Sequence, residues 1–466
     1  MNRRTFLKAA GALPAVSWLS SVPLASVAAT PAGGGTPATA LSPRFGDGRD
    51  WWFQRRFGMF VHWGLYSING WHEQDQWRRR IPRSEYVKLA QQWNPVKFNP
   101  DAWLDLAEEA GMGYICLTTK HHDGFCLFES NQTSYHSVNT PYGKDAVRLL
   151  AEACHRRKFP LCLYYSIADW HHPNYPNQGR HHELPTQPGD QPDLKAYTEY
   201  VRSQIRELCT NYGEIHGIWW DMNVDKLQDP SISAMIRTLQ PKAVINDRGY
   251  DAGDFGTPER DYGKDGEALA TFTKRTEACQ AVGTESWGYR AEEDYYADRH
   301  LIRSIDKYLA RDANYLLNVG PKPDGTIPDE SAAILKRIGV WYRAVRESLV
   351  DVIPASDLTK NRDVLLTRKG STLYVHLYKD PLADSVKLPP FDVLPRKATL
   401  LNTGKPLVCS TDLVPQDHVA QKSFLRVRGL PVNELANTVL VVKLEFDKLP
   451  EATAVGIGDA DDIKRR

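Results

Sequence analysis

From Phe57 onward, short runs rich in β-branched and aromatic residues alternate with stretches whose apolar positions recur at helical spacing. Residues 58–62, 114–119, 161–166, 217–221, 243–246 and 315–319 read as strands. Between them, 101–110 carries Trp103, Leu106 and Ala107 on one helical face, 145–157 carries Val147, Leu150 and Ala151, and 193–209 carries Tyr197, Val201 and Leu208. Strand and helix alternate in order, which predicts an α/β domain of β/α units around a parallel sheet or barrel over residues 45–349. Beyond Leu349 the helical period stops. Runs such as Thr372-Leu-Tyr-Val-His-Leu-Tyr and Thr438-Val-Leu-Val-Val-Lys-Leu alternate with Gly, Pro, Asp and Asn turns. An antiparallel β-sandwich is expected over 350–450, then a disordered tail at 451–466.

The opening residues follow neither pattern. Arg3-Arg4 stands before a weakly apolar stretch from Ala9 to Ala29 that is interrupted by Pro14, Ser17 and Pro23 and ends in small residues. This reads as a twin-arginine export signal over 1–29, then a Gly/Pro/Thr/Ala-rich spacer over 30–44, with no stable membrane insertion after cleavage. A periplasmic or secreted bacterial protein is expected. The seven cysteines are odd in number and show no Cys-x-x-Cys, which argues against a disulfide scaffold or a zinc ribbon. Lys plus Arg number 58 and Asp plus Glu 57, so no single-sign field invites nucleic acid or an acidic polymer. The 13 Trp and 21 Tyr suit a pocket that grips the apolar faces of a sugar.

In a barrel the strand ends carry the active site, and five predicted ends are loaded with polar and aromatic side chains. They are His62-Trp63, Lys120-His121-His122-Asp123, Tyr164-Tyr165-Ser166, Trp219-Trp220-Asp221 and Asn246-Asp247-Arg248. A carboxylate at Asp221 could attack an acetal carbon or cap the next helix. Glycoside hydrolysis needs a second, protonated carboxyl, for which Glu259 and Glu277 both qualify and spacing cannot choose. His121 and His122 are adjacent, with no matching His or carboxylate at metal-ligand spacing, so hydrogen bonds to hydroxyls suit them better than a metal.

The blocks Phe57-Gly-Met-Phe-Val-His-Trp-Gly, Thr118-Thr-Lys-His-His-Asp-Gly-Phe and Leu316-Leu-Asn-Val-Gly-Pro together resemble glycoside hydrolase family 29, the retaining α-L-fucosidases, with the match running from about Trp52 to Trp341. The resemblance implies an irregular (β/α) TIM-like barrel with a C-terminal β-sandwich. It also implies double displacement through a covalent glycosyl-enzyme, no metal or cofactor, and a fucosylated glycan or small glycoside as substrate. On the family's pattern Asp221 is the nucleophile, while His62, His121, His122 and Trp219 hold the sugar hydroxyls. Tyr165, or its neighbour Tyr164, is the tyrosine near the nucleophile. Arg248 and Trp287 fall on the family's arginine and on the aromatic that meets the sugar's C6 methyl. Glu259 is the favoured acid/base, with Glu277, in a signature where Thr276 replaces the usual Trp, as the alternative. Gln76-Trp77 stands where many members have Glu-Trp, which opens the alternative of an L-galactoside or L-glucoside substrate. Non-catalytic sugar binding is a remoter reading.

Overall fold

The computed structural model describes residues 43–260, 272, 274–413, 415 and 422–449. The export signal at 1–29, the spacer up to residue 42 and the tail at 451–466 lie outside the described residues. Of the spacer, Arg44 is seen packing on the Phe53 ring and pairing with Asp312.

Seven strands form one curled parallel sheet: β1 Phe57–Val61, β2 Ile115–Lys120, β3 Leu161–Ser166, β4 Gly217–Asp221, β5 Val244–Ile245, β6 Glu277–Ala281 and β7 Asn314–Val319. Their spatial order is β5-β4-β3-β2-β1-β7-β6. The expected barrel is thus observed as a seven-stranded sheet in which β5 and β6 are not directly paired. Single bridges link Asn246 to Phe255, Gly256 to Thr276 and Glu259 to Cys279, so residues 255–259 run between those two strands. Because β6 begins at Glu277, its unpromising Glu-Ala-Cys-Gln-Ala is nonetheless buried throughout.

Helices cover the outer face. Pro100–Glu109 (α1), Ala146–Arg157 (α2) and Leu194–Asn211 (α3) start at Asn99, Asp145 and Asp193, whose side chains accept from the first free backbone amides. These caps, with the apolar stripes read from the sequence, fix each helix to within two residues of expectation. Successive residues of a strand face opposite sides. Met59, Val61, Tyr165 and Trp220 therefore join the core under the helices, whereas Phe60, Tyr164, Trp219 and Cys279 turn into the curl of the sheet.

The C-terminal region contains two antiparallel sheets around one apolar core. The larger comprises β8 Ile353–Pro354, β9 Leu365–Lys369, β10 Thr372–Leu377, β12 Lys397–Leu400, β13 Lys405–Pro406 and β16 Leu440–Glu445. The smaller comprises β11 Ser385–Lys387, β14 Val408–Leu413 and β15 Ser423–Arg428. It is tied to the first region by buried polar contacts: His376 bonds Asp306 at 2.7 Å, and the Trp341 indole donates to the Val439 carbonyl at 3.0 Å. All seven cysteines are free. Among the described residues no helix is long and apolar enough to cross a membrane.

Candidate active site

At the C-terminal ends of the parallel strands lies a cavity of 220 Å³ lined by His62, Glu73, His121, His122, Tyr164, Trp219, Asp221, Arg248, Glu259 and Trp287, among others. Asp221 ends β4. Its Oδ2 accepts from the Tyr164 hydroxyl at 2.8 Å, and its Oδ1 accepts from Arg248 Nη1 at 3.0 Å and from the Met222 amide at 3.0 Å. Met222, the next residue and a wall of the same cavity, has φ +58°, a left-handed conformation that side chains other than Gly seldom adopt.

Arg248 Nη1 also donates to Glu259 Oε1, so one nitrogen reaches both carboxylates. The rest of the guanidinium is held by Thr257 through its hydroxyl at 2.6 Å and its carbonyl at 2.7 Å. Burial works against the Arg248 charge, but Glu259 and Asp221 outweigh it and raise its pKa. The bridge from Glu259 to Cys279 carries the Glu259 side chain to the mouth, where its carboxylate is partly exposed.

Glu277 sits elsewhere. It is the first residue of β6, and Cys279, which does line the cavity, stands two residues nearer the mouth. A two-residue step along a strand is about 6.6 Å, which puts Glu277 one layer beneath the cavity floor. There its carboxylate accepts from the Tyr114 hydroxyl at 2.5 Å and from the Trp52 and Trp219 indoles at 3.1 Å each. Burial pushes its pKa up to about 7, against the pull of those three donors. Glu277 is therefore corrected from alternative acid/base to a buried support for Trp219.

The three histidines form one wall. His62 Nδ1 bonds Asn318 Oδ1 at 2.7 Å, and His122 Nδ1 bonds Ser166 Oγ at 2.7 Å. His121 packs 3.9 Å from His122 and 5.2 Å from Tyr66, and among the described residues its buried Nδ1 has no hydrogen-bond partner. Burial lowers the pKa of all three, that of His122 to about 3, so they are neutral at ordinary pH.

Adjoining them, Phe60, Trp219 and Trp287 make an apolar face, with Phe60 5.1 Å from Trp219 and 6.2 Å from Trp287, and with Phe60 and Trp287 packed 4.6 Å and 5.3 Å from the His62 ring. Trp287 rides on a loop that lies against β7. A Cβ at Gly320 would come within 2.3 Å of the Gly288 carbonyl carbon, so the Asn318-Val-Gly-Pro turn needs glycine for that approach.

Two further expectations are corrected. Tyr165 faces the helices and donates to Gln204 Oε1 at 2.6 Å, so Tyr164, in register with Trp219, is the tyrosine beside Asp221. Gln76 is buried in the short helical turn Asp75–Arg78 and is absent from the cavity wall, as is Trp77, whose ring packs edge-on against His182 at 4.8 Å. Glu73 and Gln74 line the cavity instead. Glu73 was not singled out in the sequence. Its Oε2 accepts from Ser286 Oγ at 2.9 Å and the Trp287 amide at 2.9 Å. Burial opposes its charge, yet His72, His62 and the Trp287 amide outweigh it and lower the pKa.

The family model described as Alpha-L-fucosidase matches residues 44–347. Tissue α-L-fucosidase of Homo sapiens is 26% identical over 402 residues, covering 78% of this chain and 82% of that protein. The structure of α-L-fucosidase isoenzyme 1 from Paenibacillus thiaminolyticus superposes with a TM-score of 0.75 at 34% identity, covering 86% of this chain and 99% of that one. A family 29 α-L-fucosidase from Bacteroides thetaiotaomicron, solved as a trapped covalent intermediate with 2-fluoro-fucosyl fluoride, gives a TM-score of 0.74 at 25% identity, covering 88% and 98%.

Proposed function

The chain belongs to the α-L-fucosidase family, glycoside hydrolase family 29, and on that premise we propose that it is a retaining exo-α-L-fucosidase with Asp221 as nucleophile and Glu259 as acid/base. One observation carries the reading. Asp221 Oδ1 and Glu259 Oε1 both bond Arg248 Nη1. Their oxygens are thus at most two hydrogen-bond lengths apart, about 6 Å. Retaining enzymes hold the two carboxyls about 5–5.5 Å apart, whereas inverting ones need about 6.5–9.5 Å for an intervening water.

In the first step Asp221 forms a bond to the anomeric carbon as the glycosidic C–O bond breaks, and Glu259 gives its proton to the leaving oxygen. In the second, Glu259 takes a proton from water while the water oxygen displaces Asp221, so the configuration is retained. Tyr164 and Arg248 hold Asp221 from either side, leaving it aimed rather than free to rotate. The neutral histidines and Glu73 offer partners for the sugar hydroxyls, and the Phe60, Trp219 and Trp287 face suits an apolar C6 methyl. With Glu73 in the wall, Gln76 gives no reason to prefer another L-sugar.

Hydrolysis of 4-nitrophenyl α-L-fucoside beside its L-galactoside and L-glucoside counterparts, by the purified chain and its Asp221→Ala variant, tests the reading. Release from the fucoside by wild type alone is expected, with α-L-fucose as the first product by NMR. Initial release of β-L-fucose, or an active variant, would overturn it. The Arg3-Arg4 segment supports export to the periplasm or beyond, checked by fractionating cells that express the wild type and an Arg3→Lys, Arg4→Lys variant; equal export of both would defeat the twin-arginine route.

A further inference from the structure

Two residues behind the histidine wall, neither of them lining the cavity, determine which ring nitrogens carry protons. Asn318, on β7 and buried, donates through Nδ2 to the Trp287 carbonyl at 2.7 Å. A carbonyl oxygen only accepts, so this bond fixes the amide orientation and leaves Oδ1 as an acceptor facing His62 Nδ1. His62 must then carry its proton on Nδ1. Ser166, at the end of β3 and wholly buried, spends its single hydroxyl proton on the Ala168 carbonyl at 2.8 Å. Its oxygen has only a lone pair left for His122 Nδ1, which must likewise be protonated. Among the described residues no protein group hydrogen-bonds Nε2 of either ring, and His122 Nε2 stands 4.0 Å from Asp221 Oδ2.

We propose that Asn318 and Ser166 are positioning residues that lock His62 and His122 in the Nδ1–H tautomer, so that each ring offers the sugar a bare Nε2 acceptor. The inference rests on the fucosidase reading only for the identity of the sugar. It assigns a direction to two hydrogen bonds: sugar hydroxyls donate to His62 and His122. It also makes the lock discriminate, since a neutral ring of the other tautomer would set an N–H against those hydroxyl protons and one acceptor would be lost. Asn318 has a second duty, because the bond that orients it also holds the backbone of Trp287, so the tautomer of His62 and the placing of that aromatic wall depend on one amide.

The test begins without sugar. In the full chain labelled with 15N at histidine, long-range 1H–15N correlation spectra distinguish the two neutral tautomers. His62 and His122, assigned by single His→Gln variants, should show protonated Nδ1 and bare Nε2. Ser166→Ala should move His122 away from that pattern and leave His62 unchanged. It should also lower kcat/KM on the fucoside roughly tenfold, the value of one hydrogen bond to the substrate. That loss should vanish on one of the 2-, 3- or 4-deoxyfucosides, the one lacking the donated hydroxyl. Nε2–H signals from His62 or His122 in the wild type, or an unchanged His122 in Ser166→Ala, would overturn the proposal; the wild-type spectrum decides even where a variant fails to fold. The spectra support the lock whether or not fucosides are cleaved, so failure of cleavage counts against the reaction alone.

Discussion

Trp219 donates its indole N–H to Glu277 Oε1 at 3.1 Å, so the glutamate props from beneath the ring whose other side forms the cavity wall. That relationship separates the two glutamates by kinetics. Glu259→Ala should slow hydrolysis of fucosides with poor leaving groups by about 10²–10⁴-fold, the usual share of general acid catalysis. 4-Nitrophenyl fucoside, whose leaving group needs little protonation, should lose far less in its first step, and added azide should speed the second and yield fucosyl azide. Glu277→Gln should lower activity on all fucosides alike, with no response to azide. A leaving-group dependence in Glu277→Gln would return the acid/base role to it.

Tyr164 and Tyr165 are neighbours with opposite tasks, because β3 turns one into the curl and the other against the helices. Tyr164→Phe removes a hydrogen bond to the Asp221 carboxylate and should lower kcat/KM by about ten- to a hundredfold, the range of a bond to a charged group. Tyr165→Phe should leave kcat/KM within about twofold while lowering stability by about 1–2 kcal/mol, since Gln204 Oε1 loses its donor. Steady-state rates and denaturant unfolding of the pair check this, and the reverse ranking of rates would contradict this facing of the two rings.

That the sequence leaves Tyr164 and Tyr165 unseparated has a physical source. A parallel sheet covered by helices is apolar on both faces, so Leu161-Cys-Leu-Tyr-Tyr-Ser offers no alternation to say which side is which. The facing becomes legible only through register: Tyr164 pairs with Trp219 and Ser166 with Asp221. The same loss of contrast hid β6, whose Glu277 and Gln280 look solvent-bound in a sequence but are held by buried donors and close packing. Asp221, Arg248 and the three histidines were legible because they close apolar runs that could only be strands. Glu73 was not, since Trp71-His-Glu-Gln-Asp-Gln has no period, and only the return of the 286–288 loop supplies the amide and hydroxyl that hold its carboxylate.

Glu73 and Gln76 can be told apart by substitution. Glu73→Gln leaves the side chain's size intact but puts either an amide N–H₂ or an uncharged oxygen where Ser286 and the Trp287 amide donate. It should reduce kcat/KM on the fucoside by about tenfold or more through the wall and the Trp287 loop together. Gln76→Glu, which installs the carboxylate of the Glu-Trp pattern, should leave the ranking of L-fucoside over L-galactoside unchanged because Gln76 lines no part of the cavity. A changed ranking in Gln76→Glu would show that the Asp75–Arg78 turn reads the sugar after all.

Asp123, in the His-His-Asp-Gly segment, is buried, accepts from the Phe125 amide at 3.2 Å and the Tyr86 hydroxyl at 3.1 Å, and is pushed by burial up to about 7 from an ordinary 3.8. Between those two values the folded chain holds a proton there that the unfolded chain has released. Stability from this site is therefore complete below about pH 3.8, falls as pH rises towards 7, and is level above it. The ceiling on that change is about 4 kcal/mol. Asp123→Asn keeps an acceptor for Phe125 and gives Tyr86 a donor to accept from, so it mimics the protonated acid at every pH. The lowered histidines titrate identically in both proteins and cancel from the comparison. Thermal unfolding from pH 4 to 8 should show the variant near the wild type in acid and gaining on it steadily up to pH 7. Parallel curves across that window would mean that Asp123 is ionised in the folded protein throughout.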